Sequence, residues 1–116
     1  MSISISALMR QNDVPIIMSD DRSVVTFINK KFEETYLWSS TMLMGKSLLT
    51  IIPPTLHDAH TMGFSRFITT ETPTLLGKPL QLSILKADGS ECTALHTIYG
   101  EKNDGKWIFL ATIEMR

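Results

Sequence analysis

Two of the three histidines in this 116-residue chain, His57 and His60, lie three positions apart with Asp58 between them. Imidazole and carboxylate side chains bind zinc and iron and serve as acids and bases in enzymes. A structural zinc site needs four ligands, commonly in two closely spaced pairs, and this segment has no second pair. We therefore do not predict zinc, and three roles stay open: haem ligand, catalytic histidine, or a helix residue that only forms hydrogen bonds.

The other residues with reactive side chains are His96 and Cys92. The sequence contains no G-x-S-x-G motif, and no base lies at a recognisable spacing from Cys92 for nucleophilic catalysis. The segment "LLGKPL" has one Gly-Lys pair without a glycine-rich loop before it, which excludes a P-loop. A small α+β enzyme with a pocket histidine, either His60 or His96, remains an alternative, although no carboxylate stands at a convincing spacing from either.

Composition restricts the classes of partner. The chain carries 11 basic and 12 acidic residues, a formal net charge of −1, which disfavours nucleic acid and anionic membrane surfaces as partners. A single cysteine excludes an internal disulfide, and the first residues lack the basic start and long apolar core of a signal peptide. No apolar run reaches the roughly 20 residues that span a bilayer. We expect one soluble, cytoplasmic domain without direct membrane insertion.

Helix signals occupy the middle of the chain. Asn29 is a favourable N-cap for an amphipathic helix over residues 30–36, and Ser39 and Gly45 mark the start and the stop of a second short helix. Two consecutive prolines at 53 and 54 then open a longer helix. In this helix the residues of one face repeat at spacings of four, four and three, and they are Leu56, His60, Phe64 and Phe67.

Strand signals flank these helices. Two β-branched runs surround the turn cluster at residues 20–22, which predicts a hairpin. After residue 73 the apolar period becomes two, and turn sequences at 87–90 and 103–105 separate three longer strands. The order of two strands, several helices and three strands in a meander predicts an α+β fold, with the helices on one face of an antiparallel sheet.

This order of elements resembles a known family. The segment "VVTFINKKFEETYLWSSTMLMGKSLLTIIP" resembles the strand, N..F....G and G.....l.P progression of PAS domains, and "LKADGSECTALHTI" resembles their DG hairpin. The resemblance covers roughly residues 13–113. It implies a five-stranded antiparallel PAS sheet with short helices packed on one face, in a domain over 13–116 preceded by a flanking helix or cap over 1–12. The final "TIEMR" differs from the Asp-Ile-Thr ending of many PAS domains.

The resemblance also implies a function. PAS domains are sensory or interaction modules of larger signalling proteins such as histidine kinases of two-component systems, cyclases and chemoreceptors. It thus implies an effector domain in the parent chain, no catalysis by this module, and an apolar pocket for a small ligand or cofactor between helix and sheet. The predicted pocket residues are His60, His96, Phe64, Phe67, Leu82, Ile84, Ile98, Trp107 and Phe109.

Haem is one candidate cofactor that the resemblance raises. In the haem-binding, oxygen-sensing branch a histidine follows the helix-opening proline by seven residues, and Pro53, His60, Arg66 and Phe67 fall in that register. His60 is thus the candidate axial iron ligand. Leu80 stands where that branch has an oxygen-sensing arginine, so the oxygen response does not carry over. The competing and favoured interpretation is that His60 holds its helix by a hydrogen bond in a module without haem.

Two further expectations concern flavin and self-association. Flavin adduct chemistry is not expected, because "GKSLLTII" lacks the reactive cysteine of the light-sensing PAS branch and Cys92 lies on a strand. The resemblance to PAS domains implies that the apolar residues of the first 14 positions form an N-terminal helix. Such a helix often covers the outer sheet face, here at Tyr99, Ile108 and Leu110, or its equivalent in a second copy. A homodimer is therefore predicted. A third alternative is a purely structural module whose own side chains fill the pocket.

Overall fold

The computed structural model describes residues 4–71 and 76–115. Within these ranges five strands form one antiparallel sheet in the order β2-β1-β5-β4-β3. The strands are β1 Ile16–Ser19, β2 Val25–Ile28, β3 Leu80–Leu85, β4 Glu91–Asn103 and β5 Lys106–Met115. The helices are α1 Ile5–Leu8, α2 Lys30–Tyr36, α3 Ser40–Leu43 and α4 His57–Thr70, with 3-10 turns at Leu48–Ile51 and Pro54–Leu56. The predicted α+β class and five-stranded antiparallel sheet are confirmed.

The β1–β2 hairpin forms where the turn cluster predicts it. The Asp20 carboxylate accepts hydrogen bonds from the backbone N–H groups of Arg22 and Val24, at 2.8 and 3.0 Å. Such a local bond substitutes for a missing backbone partner in a tight turn. Ser23, in this turn, has a positive φ of 64°.

Asn29 joins three parts of the fold. Its side-chain oxygen caps α2 by accepting from the N–H of Phe32 and also accepts from the N–H of Ile16, both at 2.9 Å. Its amide group donates to the carbonyls of Val14 and Gln11, at 2.8 and 3.2 Å. Because Asn29 is only 6% exposed, these bonds satisfy a buried amide completely and fix the chain before β1 to the start of α2.

The sheet separates two apolar clusters. Alternation along β1 sends Ile17 to the inner face, beneath the helices, whereas Ile16 and Met18 point to the outer face. On the outer face α1 packs its Ile5 and Leu8 against Leu110, with Tyr99 and Ile108 at the border of the cluster. α1 thus covers part of the outer sheet face of its own chain.

The inner face is packed tightly at one end and stands apart from α4 at the other. α2 and α3 contribute the fully buried side chains of Phe32, Tyr36 and Leu43 to the inner cluster, and the Tyr36 hydroxyl donates to the Ile113 carbonyl at 2.6 Å. In contrast, α4 has no fully buried residue along its length. The space between α4 and the sheet is the cavity described below.

Over the described parts of the chain, no helix combines the length and the apolar character needed to cross a lipid bilayer.

Candidate functional site

A cavity of about 780 Å³ lies between α4, the 3-10 turns and the inner face of the sheet. This volume is in the range of small-molecule pockets in proteins. Most of the lining side chains are aliphatic or aromatic, and the polar ones are few: Ser19, His60, Arg66, Thr70, Ser83 and His96. Arg66 is the one with a permanent charge among the described lining residues, and it is exposed. The interior is therefore suited to an uncharged, largely apolar molecule.

The helical wall of the cavity follows from the spacing in α4. Residues 56, 59, 60, 63, 64, 66, 67 and 70 all line the cavity, as one face of a helix of period 3.6 requires. Phe64 and Phe67 each contact the Phe109 ring of β5 edge-to-face, with centroids 5.4 Å apart. These aromatic contacts support α4 above the sheet.

The sheet wall is set by strand register. His96 in β4 pairs with Ile113 in β5, and Ile98 pairs with Ala111, so their side chains share the inner face. On β1 the same face carries Ile17, opposite Ala111, and Ser19, opposite Phe109. Because side chains alternate along each strand, the register alone places Ser19 and His96 toward the cavity.

The structure brings most of the predicted pocket residues together. Those that line the cavity are His60, Phe64, Phe67, Leu82, His96, Ile98 and Phe109. Ile84 is on the same sheet face but is fully buried in the inner cluster, away from the lining. Trp107 lies beyond the cavity end, where it contacts Phe67 at a centroid distance of 4.9 Å.

Trp107 is also part of a polar contact that holds the end of α4. The Glu71 carboxylate accepts hydrogen bonds from Trp107 Nε1 at 2.7 Å and from Lys102 Nζ at 2.8 Å. The bond from Lys102, followed by the bond from Trp107, lowers the pKa of the Glu71 carboxyl. Glu71 directly follows α4 and has a positive φ of 53°. Its two hydrogen bonds tie the end of the helix to the β4–β5 hairpin.

His57 holds the start of the same helix. Its Nε2 atom lies 2.7 Å from the Ile52 carbonyl and 3.1 Å from the Leu49 carbonyl. Both partners are acceptors, so Nε2 carries the proton and donates. The sequence favoured a helix-holding hydrogen bond for His60. In the structure His57 makes a helix-holding bond as well.

His60 is engaged on its ring nitrogen. Its Nε2 lies 3.2 Å from the Ser23 hydroxyl in the β1–β2 turn, and its ring stacks on Phe64 with centroids 6.0 Å apart. Burial, followed by the proximity of His57, lowers the pKa of His60. The neutral ring links α4 to the hairpin turn, which is the hydrogen-bonding role that the sequence favoured.

His96, unlike His60, has an Nε2 atom without a hydrogen-bond partner among the described residues. This nitrogen is buried. Burial lowers the pKa of His96, and a hydrogen bond with the Leu82 backbone partly offsets this. Each ring nitrogen of a neutral histidine is a donor in one tautomer and an acceptor in the other. His96 lines the cavity, so its Nε2, unpartnered within residues 4–71 and 76–115, can donate to or accept from a bound group.

Ser19 is the site residue that the sequence analysis missed. It is only 2% exposed, and its hydroxyl has no partner in the described parts of the chain. The available signal was the alternation in "IIMS", where Ser19 falls on the same face as Ile17. That pattern reveals the face of the strand but not the missing hydrogen bond, which depends on the neighbouring elements.

The described side chains do not fit a haem bound through His60. The nitrogen that would ligate iron is instead bonded to Ser23, and breaking that contact would be required first. No group of three or more His, Cys, Asp or Glu side chains able to hold a metal ion occurs within 4–71 and 76–115. The described cavity lining also contains no carboxylate beside His60 or His96, so an acid–histidine pair for catalysis is not assembled there.

Comparison with known families identifies the fold. The family model for the PAS fold matches residues 4–74, which is more than half of the chain. The chain belongs to the PAS family. PAS domains are generally sensory modules rather than enzymes.

Solved PAS domains share the architecture at low sequence identity. The PAS domain of a protein from Desulfitobacterium hafniense is 15% identical, with a TM-score of 0.75 over 95% of this chain and 99% of that one. The PAS domain of an HTR-like protein from Haloarcula marismortui is 14% identical, with a TM-score of 0.73 over 97% and 88%. A PAS domain from a two-component sensor histidine kinase is 9% identical, with a TM-score of 0.73 over 95% and 91%. The chain has no significant match among curated proteins.

Proposed function

We propose that this PAS domain is the sensory module of a larger signalling protein and that it binds a small, mostly apolar ligand between α4 and the sheet. The observation that carries the proposal is the cavity of about 780 Å³ with its apolar lining. The apolar side chains that face this space lack packing partners there, and apolar surface left unpacked costs stability. Occupation by a ligand recovers the lost contacts.

The parent protein is proposed to be a signalling enzyme or receptor of the histidine kinase, cyclase or chemoreceptor type, with an effector domain outside this sequence. Support comes from structural neighbours that belong to a sensor histidine kinase and to an HTR-like protein. At their low identity the neighbours share the fold, so the type of effector rests on this analogy.

Homodimerisation through the outer sheet face belongs to the same proposal. Half-buried apolar side chains border α1 on that face, namely Met9, Phe27, Tyr99 and Ile108. A second copy that covers them would bury additional apolar area. Sedimentation equilibrium checks this: a dimer is expected at micromolar concentration, and a monomer at the highest soluble concentration would contradict it.

A cavity-filling variant tests ligand binding. Gly63 lies on the cavity side of α4, and a Cβ built there meets no atom within 4 Å. Gly63→Leu therefore fills the cavity without a backbone clash and removes a helix-weakening glycine. Met62 is 66% exposed on another side of α4, so Met62→Leu is the matched control.

Amide NMR spectra of the ¹⁵N-labelled chain, titrated with 1-octanol, give the readout. We expect shifts confined to residues around the cavity in the native chain and in Met62→Leu, and at least a tenfold weaker response in Gly63→Leu. Absence of such shifts in the native chain with 1-octanol and with a library of small apolar molecules would overturn ligand binding and favour a structural module.

A further inference from the structure

Two buried polar atoms in the cavity lack partners, and their positions describe a ligand. They are the Ser19 hydroxyl oxygen and His96 Nε2, which together are the buried side-chain polar atoms without a hydrogen bond among the described residues. Both residues line the same cavity. Buried polar groups in native proteins are nearly always hydrogen-bonded, because an unsatisfied one retains its full desolvation penalty. Two exceptions in one cavity indicate a partner that the chain itself does not supply.

The strand register separates the two atoms widely. Ser19 lies opposite Phe109 and His96 lies opposite Ile113, four positions further along β5. In addition, β1 and β4 flank β5 on its two sides, so two strand spacings separate the residues across the sheet. A rise of about 3.4 Å per residue and a spacing of about 4.8 Å between strands place their Cα atoms on the order of 15 Å apart. One hydroxyl group therefore cannot satisfy both atoms.

The wall between these two positions is apolar. On the inner sheet face the residues between them are Ile17, Ala111 and Ile98, and Phe64 contributes from α4. A molecule that reaches from one atom to the other must bury its middle against these side chains, which favours an aliphatic or aromatic body. After allowance for a hydrogen bond of about 2.9 Å at each end, its polar groups lie about 10 Å apart.

We propose that the cavity selects an elongated, uncharged and mostly apolar molecule with a hydrogen-bonding group at each end, one bonded to His96 Nε2 and one bonded to Ser19. This inference rests on the proposed function, the binding of a small ligand in the cavity. The group at His96 is a donor or an acceptor according to the tautomer of the ring, and a hydroxyl serves as either. The group at Ser19 is a donor or an acceptor, because a serine hydroxyl serves as both.

Matched aliphatic alcohols test the proposal. The probe is 1,8-octanediol, compared with 1-octanol, which has one polar end, and with 1,4-butanediol, which is too short to reach both atoms. Titration calorimetry measures the affinity of each variant for 1,8-octanediol and for 1-octanol. The ratio of the two affinities is compared between variants, because a change in the stability of a variant affects both affinities equally. Ser19→Ala and His96→Phe remove one polar atom each, whereas Ser19→Thr keeps the hydroxyl and is the conservative control.

We expect the affinity ratio to fall about tenfold in Ser19→Ala and in His96→Phe, and to stay within a factor of two in Ser19→Thr. Binding of 1,4-butanediol should respond to no more than one of the two substitutions. If 1-octanol binds but both substitutions leave the ratio unchanged, the two-ended recognition is wrong while ligand binding stands. If no probe binds, including 1-octanol, ligand binding itself is wrong. A crystal structure with 1,8-octanediol that retains ordered water on both atoms would also overturn the inference.

Discussion

His60 on α4 and Ser23 in the β1–β2 turn are joined by a hydrogen-bonding contact of 3.2 Å between Nε2 and the hydroxyl oxygen. The contact connects a helix that covers the cavity to a turn that is distant in sequence. It also occupies the nitrogen that iron would require. The sequence register raised His60 as a candidate iron ligand. In this structure His60 instead holds α4 to the β1–β2 turn.

Hemin titration distinguishes these two roles. Because His60 Nε2 is bonded to Ser23, we expect added hemin to give no stoichiometric Soret band that depends on His60. The ultraviolet-visible spectrum of the native chain with hemin should match that of His60→Ala. A Soret band that shifts on reduction and disappears in His60→Ala, but persists in His57→Ala, would establish haem ligation and contradict the prediction.

The unpartnered Ser19 hydroxyl predicts that its removal stabilises the chain, whereas most substitutions of buried residues destabilise a protein. Ser19→Ala removes a buried hydroxyl without a described partner, so we expect the free energy of unfolding of the ligand-free chain to rise by about 1 kcal/mol. Urea denaturation followed by circular dichroism measures the change. Ser83→Ala is the matched control, because Ser83 also lines the cavity but its hydroxyl is not among the buried unpartnered atoms. A loss of stability in Ser19→Ala larger than in Ser83→Ala would show that Ser19 has a structural partner such as bound water.

The two buried imidazoles make stability depend on pH. Burial lowers the pKa of His60 and of His96 below the ordinary value of 6.5, so between that value and their folded values the unfolded chain binds protons that the folded chain does not. Unfolding therefore becomes easier as the pH falls through 6.5, and the contribution is fully present above it.

We expect Tm to decrease between about pH 7.5 and about pH 5.5, a range chosen around the histidine pKa. Differential scanning calorimetry of the native chain, His96→Phe and His60→Phe checks this. Each substitution should flatten the slope of Tm against pH, and the double variant should flatten it further. An unchanged slope in the double variant would contradict the assignment to these rings.

Asn29 predicts a large loss of stability. Its side chain makes four hydrogen bonds from a buried position, and Asn29→Ala leaves donors and acceptors of α2, β1 and the preceding segment unpaired. We expect a loss of about 3 kcal/mol in the free energy of unfolding, since several buried groups lose their partners. Ser39→Ala, which removes the exposed cap of α3, is the control and should cost about 1 kcal/mol. Equal losses in the two variants would show that Asn29 acts as a helix cap alone.

The parts of the fold that are determined locally were predictable from sequence. The N-caps at Asn29 and Ser39 and the turn at Asp20 each depend on a side chain that bonds to a backbone group a few residues away, so the residue type and its position suffice. The alternation of β4 and β5 likewise assigned the inner face correctly.

The polar details of the cavity were not predictable in the same way. His57 and His60 differ by three positions on one helix, and only the fold decides that one meets the Ile52 carbonyl and the other meets Ser23. Whether the Ser19 hydroxyl has a hydrogen-bond partner depends on the residues that β5 and α4 place around it. A local sequence pattern does not show which residues these are. Trp107 was assigned to the right sheet face, but its position at the strand end places it beside Glu71 rather than in the cavity lining.

The two ends of α4 are secured, by His57 at its start and by Glu71 after its end, while its middle rests on two phenylalanine contacts above open space. Because the polar contacts of α4 lie at its ends, we expect bound molecules of different thickness to displace the middle of the helix more than its ends. The hydrogen-bonded strands on the opposite side should restrict the length of such a molecule instead.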